Sequence, residues 1–294
     1  MVLDSSVHSK LDSDGYCIIN LLDEFAIDQL TEVASCIQEK HSNTFFNGIH
    51  MTTWCSDIAF KLSIRDKIES IIKPYCNRFF QNYKLLNSVC IIKKQNRTSG
   101  FPLHQDWSFV DEAVYPAINI WVALQDTFIH NGGLYVVKGS HRLNNYIRGA
   151  GRLSFDFNQY SNALKPYLTP LSLKKGQAVL FYYSTIHGSP ANRTTKARSI
   201  IASTIIPEDA NIVLNYFDNK TNSLHQYLMC DDFVYKYNDI RFESVLQPPN
   251  GKLLQCIPDF EPYSVSLGEI IAVSKLSDNS MLDKFLNLFK LRFL

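Results

Sequence analysis

A chain of 294 residues with 46% hydrophobic and 13% aromatic content is long enough for one large domain or two small ones, with a sizeable core. Its net charge is +1, its isoelectric point lies near 7.6 and no segment is strongly basic, which argues against nucleic acid as a main partner. Seven scattered cysteines, odd in number and without a CxxC pair, argue against a disulfide framework or zinc ribbon and for a reducing, cytoplasmic setting.

The opening residues, Met1-Val-Leu-Asp-Ser-Ser6, carry no basic stretch leading into an apolar one, so no secretory leader is expected. No apolar run reaches membrane-spanning length. Residues 15–21 predict a short strand. Asp23 caps a helix predicted over 24–39, with Phe25, Leu30, Val33, Ala34 and Ile37 as its apolar stripe. Residues 41–57 are irregular and mix aromatic with polar groups: Phe45, Phe46, His50, Met51 and Trp54. A second helix fits 58–73, which Pro74 breaks or bends before it resumes through Phe80. These helices brace one face of the later sheet. Residues 86–95 predict a strand, and 98–102 the turn that follows.

Residues 117–124 predict a strand on which Asn119 faces the same side as Trp121. Asn131-Gly-Gly133 is a turn, 134–137 a strand, and Gly139-Ser-His-Arg142 a turn in which His141 is a hydrogen-bonded structural residue. Residues 143–168 form a long connection, and a loop of this length in a compact domain is a functional lid or is disordered. Strands are predicted over 176–183, 198–206 and 213–217. Cys17 and Cys90, in apolar runs, are small core residues. Short strands without regular strand–helix alternation imply an antiparallel β architecture. Residues 280–294 are amphipathic, with Leu282, Phe285, Leu286, Phe289 and Phe293 on one side. This helix packs on its own domain or on a homodimer mate, or touches a membrane surface.

The chemistry gathers at Phe101-Pro-Leu-His-Gln-Asp106. On a strand or strand end, His104 and Asp106 point to one side, an imidazole beside a carboxylate. That is two thirds of a 2-His-1-carboxylate triad, which holds non-haem Fe(II) and leaves coordination positions open. His187, ending the apolar run Leu180-Phe-Tyr-Tyr-Ser-Thr-Ile186, is the candidate third ligand. Arg198 opens a strand eleven positions later, where an inward guanidinium is a fork for a dicarboxylate cosubstrate.

His104-Gln-Asp106, Asn119-Ile-Trp-Val-Ala-Leu-Gln-Asp126, Asn131-Gly-Gly-Leu134, Gly139-Ser-His-Arg142, Gly176-Gln-Ala-Val-Leu-Phe181, His187-Gly-Ser189 and Arg198 stand in this order. The order resembles the phytanoyl-CoA dioxygenase family of Fe(II)/2-oxoglutarate oxygenases. It does so strongly over about 85–207 and more weakly at Asp14-Gly-Tyr-Cys-Ile-Ile19. Lys138 departs from the family, which commonly has Pro there. The resemblance implies a mainly β fold with flanking helices: a double-stranded β-helix, the jelly-roll or cupin-like barrel, braced by N-terminal helices. One domain over 1–294 is expected, with a barrel core at about 85–217, a helical part at 23–82 and an extension at 218–294.

The same resemblance implies that His104, Asp106 and His187 hold Fe(II), and that 2-oxoglutarate and O2 are cosubstrates, with ascorbate as reductant. Arg198 would bind the far carboxylate of 2-oxoglutarate, helped by Ser189, with Gln105, Asn119, Trp121 and Lys93 as further wall residues. The expected activity is hydroxylation of a small or medium metabolite with release of succinate and CO2. Desaturation or ring closure are alternatives, and the carboxylate of Asp106 argues against halogenation, since related halogenases carry a small residue there. Two other readings stay open: a non-catalytic jelly-roll binding protein, and a cupin-like metal enzyme without 2-oxoglutarate, which leaves Arg198 unexplained. Substrate is expected at the barrel mouth, walled by connecting segments. Its candidate residues are Trp107 and Phe109 just past the ligands, His50, Met51 and Trp54 from 45–54, and Phe155 from 143–168.

Overall fold

The computed structural model describes residues 1–40, 46–143, 146–237 and 240–276. Helix α1 (Ser5–Asp14) starts at Asp4, whose Oδ1 accepts hydrogen bonds from the backbone N of Ser6 at 2.8 Å and Val7 at 3.1 Å. This helix was not expected, because only Val7 and Leu11 mark its buried side in a polar segment. Strand β1 (Tyr16–Asn20) follows, then α2 (Glu24–Lys40), where the Asp23 carboxylate accepts from Ala26 N at 3.0 Å. The buried stripe of α2 is Ala26, Ile27, Leu30, Val33, Ala34 and Ile37. Phe25, expected in that stripe, is 72% exposed; at about 100° per residue it falls off the face set by Leu30 and Ile37. After β2 (Ile49–Met51), α3 (Ile58–Cys76) runs through Pro74 rather than stopping at 73. A proline in the last turn removes only one interior hydrogen bond.

Two sheets face each other. The larger runs in the order β1-β8-β5-β10-β3-β2, and includes β3 (Tyr83–Lys93), β5 (Ile118–Ala123), β8 (Gln177–Tyr182) and β10 (Arg198–Pro207). The smaller runs β4-β9-β6-β7, from β4 (Phe101–His104), β6 (Tyr135–Val137), β7 (Leu168–Pro170) and β9 (His187–Ser189). All the pairings are antiparallel. Strand alternation divides the side chains between two cores. Cys90, Ile92, Ile118, Ile120, Val122, Leu180, Ile201 and Ile205 point outward onto Leu30, Ile37, Ile64, Ile68 and Ile72 of the helices. Val89, Trp121, Ala123, Val179, Phe181 and Ile200 point inward and meet Leu134 and Val136 of the smaller sheet. Each of the buried Val, Leu, Ile and Phe side chains contributes about 1.5–3 kcal/mol. This is the expected double-stranded β-helix, with β1 and β2 joining its larger sheet from the N-terminal part.

The long connection over 143–168 is ordered locally over its described residues rather than irregular throughout. The segment carries 3-10 turns at Gly151–Leu153, Phe157–Tyr160 and Lys165–Tyr167 and a helical turn α4 (Ser161–Leu164). Leu153, Phe157 and Leu164 are buried, so it is a packed segment with its own apolar anchors. Beyond the barrel, β11 (Val213–Asp218), β12 (Ser223–Leu228) and β13 (Lys252–Ile257) form a third sheet. Short helices α5 (Phe233–Lys236) and α6 (Ile240–Leu246) precede β13, and α7 (Leu267–Leu276) follows it. Val265 and Ile270 pack with Leu103, Phe157 and Leu164 under the smaller sheet. Phe45 and the amphipathic 280–294, with its expected dimer or membrane contact, lie outside the described residues. Among the described residues no helix is long and apolar enough to cross a membrane.

Candidate active site

His104 ends β4 and His187 begins β9, and the two are directly opposed in the ladder between these strands. Asp106 follows two residues later. One ligand atom from each of His104, Asp106 and His187 lies within 4.8 Å of the others, the one such cluster among the described residues. Nε2 of His104 is 3.8 Å from Asp106 Oδ1, and Nε2 of His187 is 4.0 Å from Asp106 Oδ2. Each imidazole is oriented through its other nitrogen: His104 Nδ1 lies 2.8 Å from Pro102 O, and His187 Nδ1 lies 2.9 Å from Thr185 O. Those contacts make Nδ1 the protonated nitrogen and leave both Nε2 lone pairs facing Asp106, the arrangement a metal-ligating histidine needs. Burial, reinforced by the neighbouring His187, pushes the His104 imidazole down to about 4, so it is neutral at physiological pH. Phe181 packs on the His187 ring with centroids 4.6 Å apart.

Asp106 is held at its side chain and at its backbone. Asn119 Nδ2 donates to its Oδ2 at 3.1 Å, and its backbone N donates to Tyr183 O at 2.9 Å. Gly188 allows β9 to lie close to β4. A Cβ there would stand 2.8 Å from Tyr135 Cε2, 3.0 Å from Phe101 O and 3.1 Å from Pro102 O.

The other end of the interior is cationic. Arg198 and Lys93 are cross-strand partners between β10 and β3, and both are buried. Arg198 Cζ lies 5.2 Å over the Trp121 ring, and its Nη2 donates to Gly132 O at 2.9 Å. Its Nε and Nη1 are buried with no partner among the described residues. Burial draws the guanidinium down to about 9, so it stays charged at neutral pH. Lys93 Nζ donates to Ser189 Oγ at 2.6 Å and Pro190 O at 2.9 Å, and burial together with the Arg198 charge pulls it down to about 6. Gly132, at φ +83°, gives the Lys93 chain its room, since a Cβ there would lie 2.6 Å from Lys93 Cδ. Two buried guanidinium donors without a partner are costly, and a carboxylate is the group that satisfies a planar fork. The residues therefore fit both groups, a divalent metal at the His-Asp-His end and a dicarboxylate reaching to Arg198.

The remaining candidates divide. Met51 is opposite Ile91, and both pack with Trp121 and Phe181 in the interior. His50 does not join them: it is opposite Ile92, whose side chain faces the helices, so the register puts His50 on the outer face, away from the barrel mouth. Trp54 ends a half-buried 3-10 turn whose Thr52 bonds the backbone of Cys90, at 3.0 Å to its O and 3.1 Å from its N. Phe109 is not a mouth residue. It is buried edge-on against Tyr183 and Phe233, at 6.3 Å and 5.3 Å. Gln105 is also not part of the cosubstrate wall. Alternation turns it away from its two neighbours, its Nε2 donates to Ser184 O and Leu143 O, and its Oε1 accepts from the Tyr146 hydroxyl. Trp107 and Phe155 line one cleft with Gln105, Tyr146, Arg148 and Phe157. Asn119 acts on Asp106 and not on the cosubstrate end.

Sequence reasoning missed Arg148 and Glu112, a buried ion pair close to Asp106. Their sequence separation of 36 carries no local signature; the one hint was an Arg inside a segment read as a lid.

The fold and this donor set belong to one class, the double-stranded β-helix of non-haem iron, 2-oxoglutarate-dependent oxygenases. The chain is a member of the phytanoyl-CoA dioxygenase (PhyH) family, whose sequence profile it matches over residues 11–200. It is similar to a phytanoyl-CoA dioxygenase of Arabidopsis thaliana, 27% identical over 128 residues, covering 42% of this chain and 45% of that one. It is also similar to phytanoyl-CoA dioxygenase domain-containing protein 1 of Danio rerio, 28% identical, covering 40% and 43%. The chain thus spans less than half the length of these curated relatives. Its fold resembles that of the epimerase SnoN, solved with Fe3+, alpha-ketoglutarate and nogalamycin RO (TM-score 0.52, 16% identity, 70% of this chain and 84% of that one). It likewise resembles AviO1 of Streptomyces viridochromogenes Tue57 (TM-score 0.51, 19% identity, 71% and 97%).

Proposed function

We propose that this protein is an Fe(II)- and 2-oxoglutarate-dependent dioxygenase that hydroxylates an unactivated C–H bond of a small or medium metabolite. The observation that carries the reading is the pairing of His104, Asp106 and His187 with a buried Arg198 whose Nε and Nη1 have no partner among the described residues. His104, Asp106 and His187 are the metal ligands. Arg198, over Trp121, receives the far carboxylate of 2-oxoglutarate, with Lys93 and Ser189 beside it. Bound Fe(II) supplies the redox chemistry by which O2 and 2-oxoglutarate become succinate, CO2 and one oxygen atom delivered to the substrate. The protein's part is to orient both imidazoles through their Nδ1–H groups, fix Asp106 through Asn119, and keep water from the dicarboxylate with the apolar interior of Val89, Val179, Phe181 and Ile200. Trp107, Phe155 and Met51 offer apolar and aromatic surface for a largely carbon substrate. The cysteines form no disulfide among the described residues, which favours a cytoplasmic setting.

Anaerobic titration of the apoprotein with Fe(II) and 2-oxoglutarate, followed by release of labelled CO2 on admitting O2, tests the reading. Saturable binding of both, and slow substrate-free decarboxylation, are expected. Absence of cosubstrate binding in the metal-loaded protein would overturn it. A metabolite survey scored for a mass gain of one oxygen, against a loss of two hydrogens, separates hydroxylation from desaturation or ring closure.

A further inference from the structure

The segment that walls the cleft is stitched to the metal-binding strand on both sides of Asp106. On one side, Gln105 bonds Leu143 O at 3.2 Å and the Tyr146 hydroxyl. On the other, Ser108 N donates to Arg148 O at 3.1 Å, and Arg148 N donates to Ser108 Oγ at 3.2 Å. Between them lies the buried Arg148 side chain. Its Nε donates to the backbone O of Asp106 at 2.8 Å, its Nη1 to Tyr146 O at 3.3 Å and its Nη2 to Glu112. Glu112 also accepts from Ser108 Oγ at 3.0 Å. Every nitrogen of the guanidinium makes a bond to the protein, which fixes its plane between Asp106, Tyr146 and Glu112. Both partners are nearly sealed, with side chains 4% and 8% exposed, so the pair is unscreened and neither member tolerates losing the other.

We propose that Arg148, locked by Glu112, is a positioning residue. It makes the 146–155 stretch and the metal carboxylate one mechanical unit, so that whatever orders the cleft sets Asp106. Resting on the functional reading above, this gives the pair a specific job. Loosening the 146–155 stretch loosens the hold on Asp106, and with it the metal-ligand set. Asp106 has three anchors: Tyr183 O for its N, Asn119 for its carboxylate and Arg148 for its O. Only the last belongs to a segment that also touches the cleft.

The test uses the full chain with Arg148→Lys, Glu112→Gln and the double substitution. Glu112→Gln is nearly isosteric and keeps an amide oxygen as acceptor for Arg148, and thermal melts of each variant check the fold. Co(II) binding is followed by calorimetry, and amide exchange in the metal-free protein by mass spectrometry. Removing an outer partner of a ligand costs about 10–100-fold in metal affinity. Each variant is expected to weaken Co(II) about tenfold or more with the fold retained. Exchange should quicken at 104–110 and 146–153 together, and the double variant should be no worse than the worse single. Unchanged Co(II) affinity, or faster exchange at 146–153 alone, would overturn the proposal. A lower melting temperature with wild-type Co(II) affinity would make the pair merely structural, which also overturns it. If wild type itself bound no Co(II), the functional reading would fail. The exchange arm, which needs no metal, would still decide whether the two stretches open as one.

Discussion

Lys93 and Arg198 are directly opposed across the ladder between β3 and β10, two buried bases at the same end of the barrel, with the Lys93 amino group on Ser189 and the Arg198 guanidinium on Gly132. Like charges so placed are tolerated because one yields: the lysine is drawn down to about 6 while the arginine remains protonated.

Arg198→Ala is expected to weaken 2-oxoglutarate binding by about tenfold to a hundredfold, since a hydrogen bond to a charged group contributes about 1.5–3 kcal/mol. Fe(II) affinity should hold. Arg198→Lys keeps the charge without the fork and should fall between. Calorimetric titration of the metal-loaded variants checks both. Equal cosubstrate affinity in Arg198→Ala and wild type would remove this residue from the site.

The lysine sets a pH dependence. Its folded pKa of about 6 lies below the ordinary 10.5, so over that window the unfolded chain binds more protons, and the metal-free protein gains stability as pH rises above 6. Lys93→Met should flatten that rise in denaturant midpoints measured from pH 6 to 9. A dicarboxylate beside Lys93 raises its pKa, so 2-oxoglutarate binding takes up a proton. Affinity therefore weakens as pH climbs above 6, by at most about tenfold per unit. Titrations in buffers of different ionisation enthalpy count the proton. No uptake in wild type would refute the assignment.

His104→Ala, Asp106→Ala and His187→Ala are each expected to abolish Fe(II)-dependent turnover while the circular dichroism spectrum is kept. Asn119→Ala removes only the amide on Asp106 Oδ2, and should lower metal affinity about 10–100-fold without abolishing it. A triad variant that still turns over at the wild-type rate would take that residue out of the ligand set.

Gly188→Ala should damage both fold and site, because its Cβ would press on Tyr135 and on two carbonyls of β4. A loss of about 1–3 kcal/mol is expected from overpacking, together with weaker metal binding as β9 is pushed from β4. Thermal melts with and without Co(II) read the two effects separately.

What could be read in advance was whatever follows from alternation along one strand. The convergence of His104 and Asp106 is of that kind, as is the shared face of Asn119 and Trp121. The same rule turns Gln105 away from its neighbours, so its placement in the cosubstrate wall was avoidable from the sequence itself. His50 is different. Its facing depends on which residue of β3 it meets, and a register between strands about forty residues apart leaves no trace in local pattern. Phe109 was placed by nearness in sequence to the ligands, whereas its neighbours Tyr183 and Phe233 come from distant chain. Strands β12 and β13 went unread, since β13 is exposed along most of its length and shows no apolar alternation.

The ladder between β4 and β9 joins stretches about eighty residues apart, and the chain between them supplies β5, β6, β7 and β8. A contact enclosing that much chain closes late, because the entropy of the loop must be met first. On the ribosome, both imidazoles are available only once residue 187 has emerged, when most of the barrel has already been synthesised. Iron therefore meets a chain that already holds β1 to β9 and awaits β10 between β5 and β3, unlike small zinc modules whose metal templates their folding. The pairing of β4 with β9, and not the metal, brings the two imidazoles together, so the fold is expected to persist in the apoprotein.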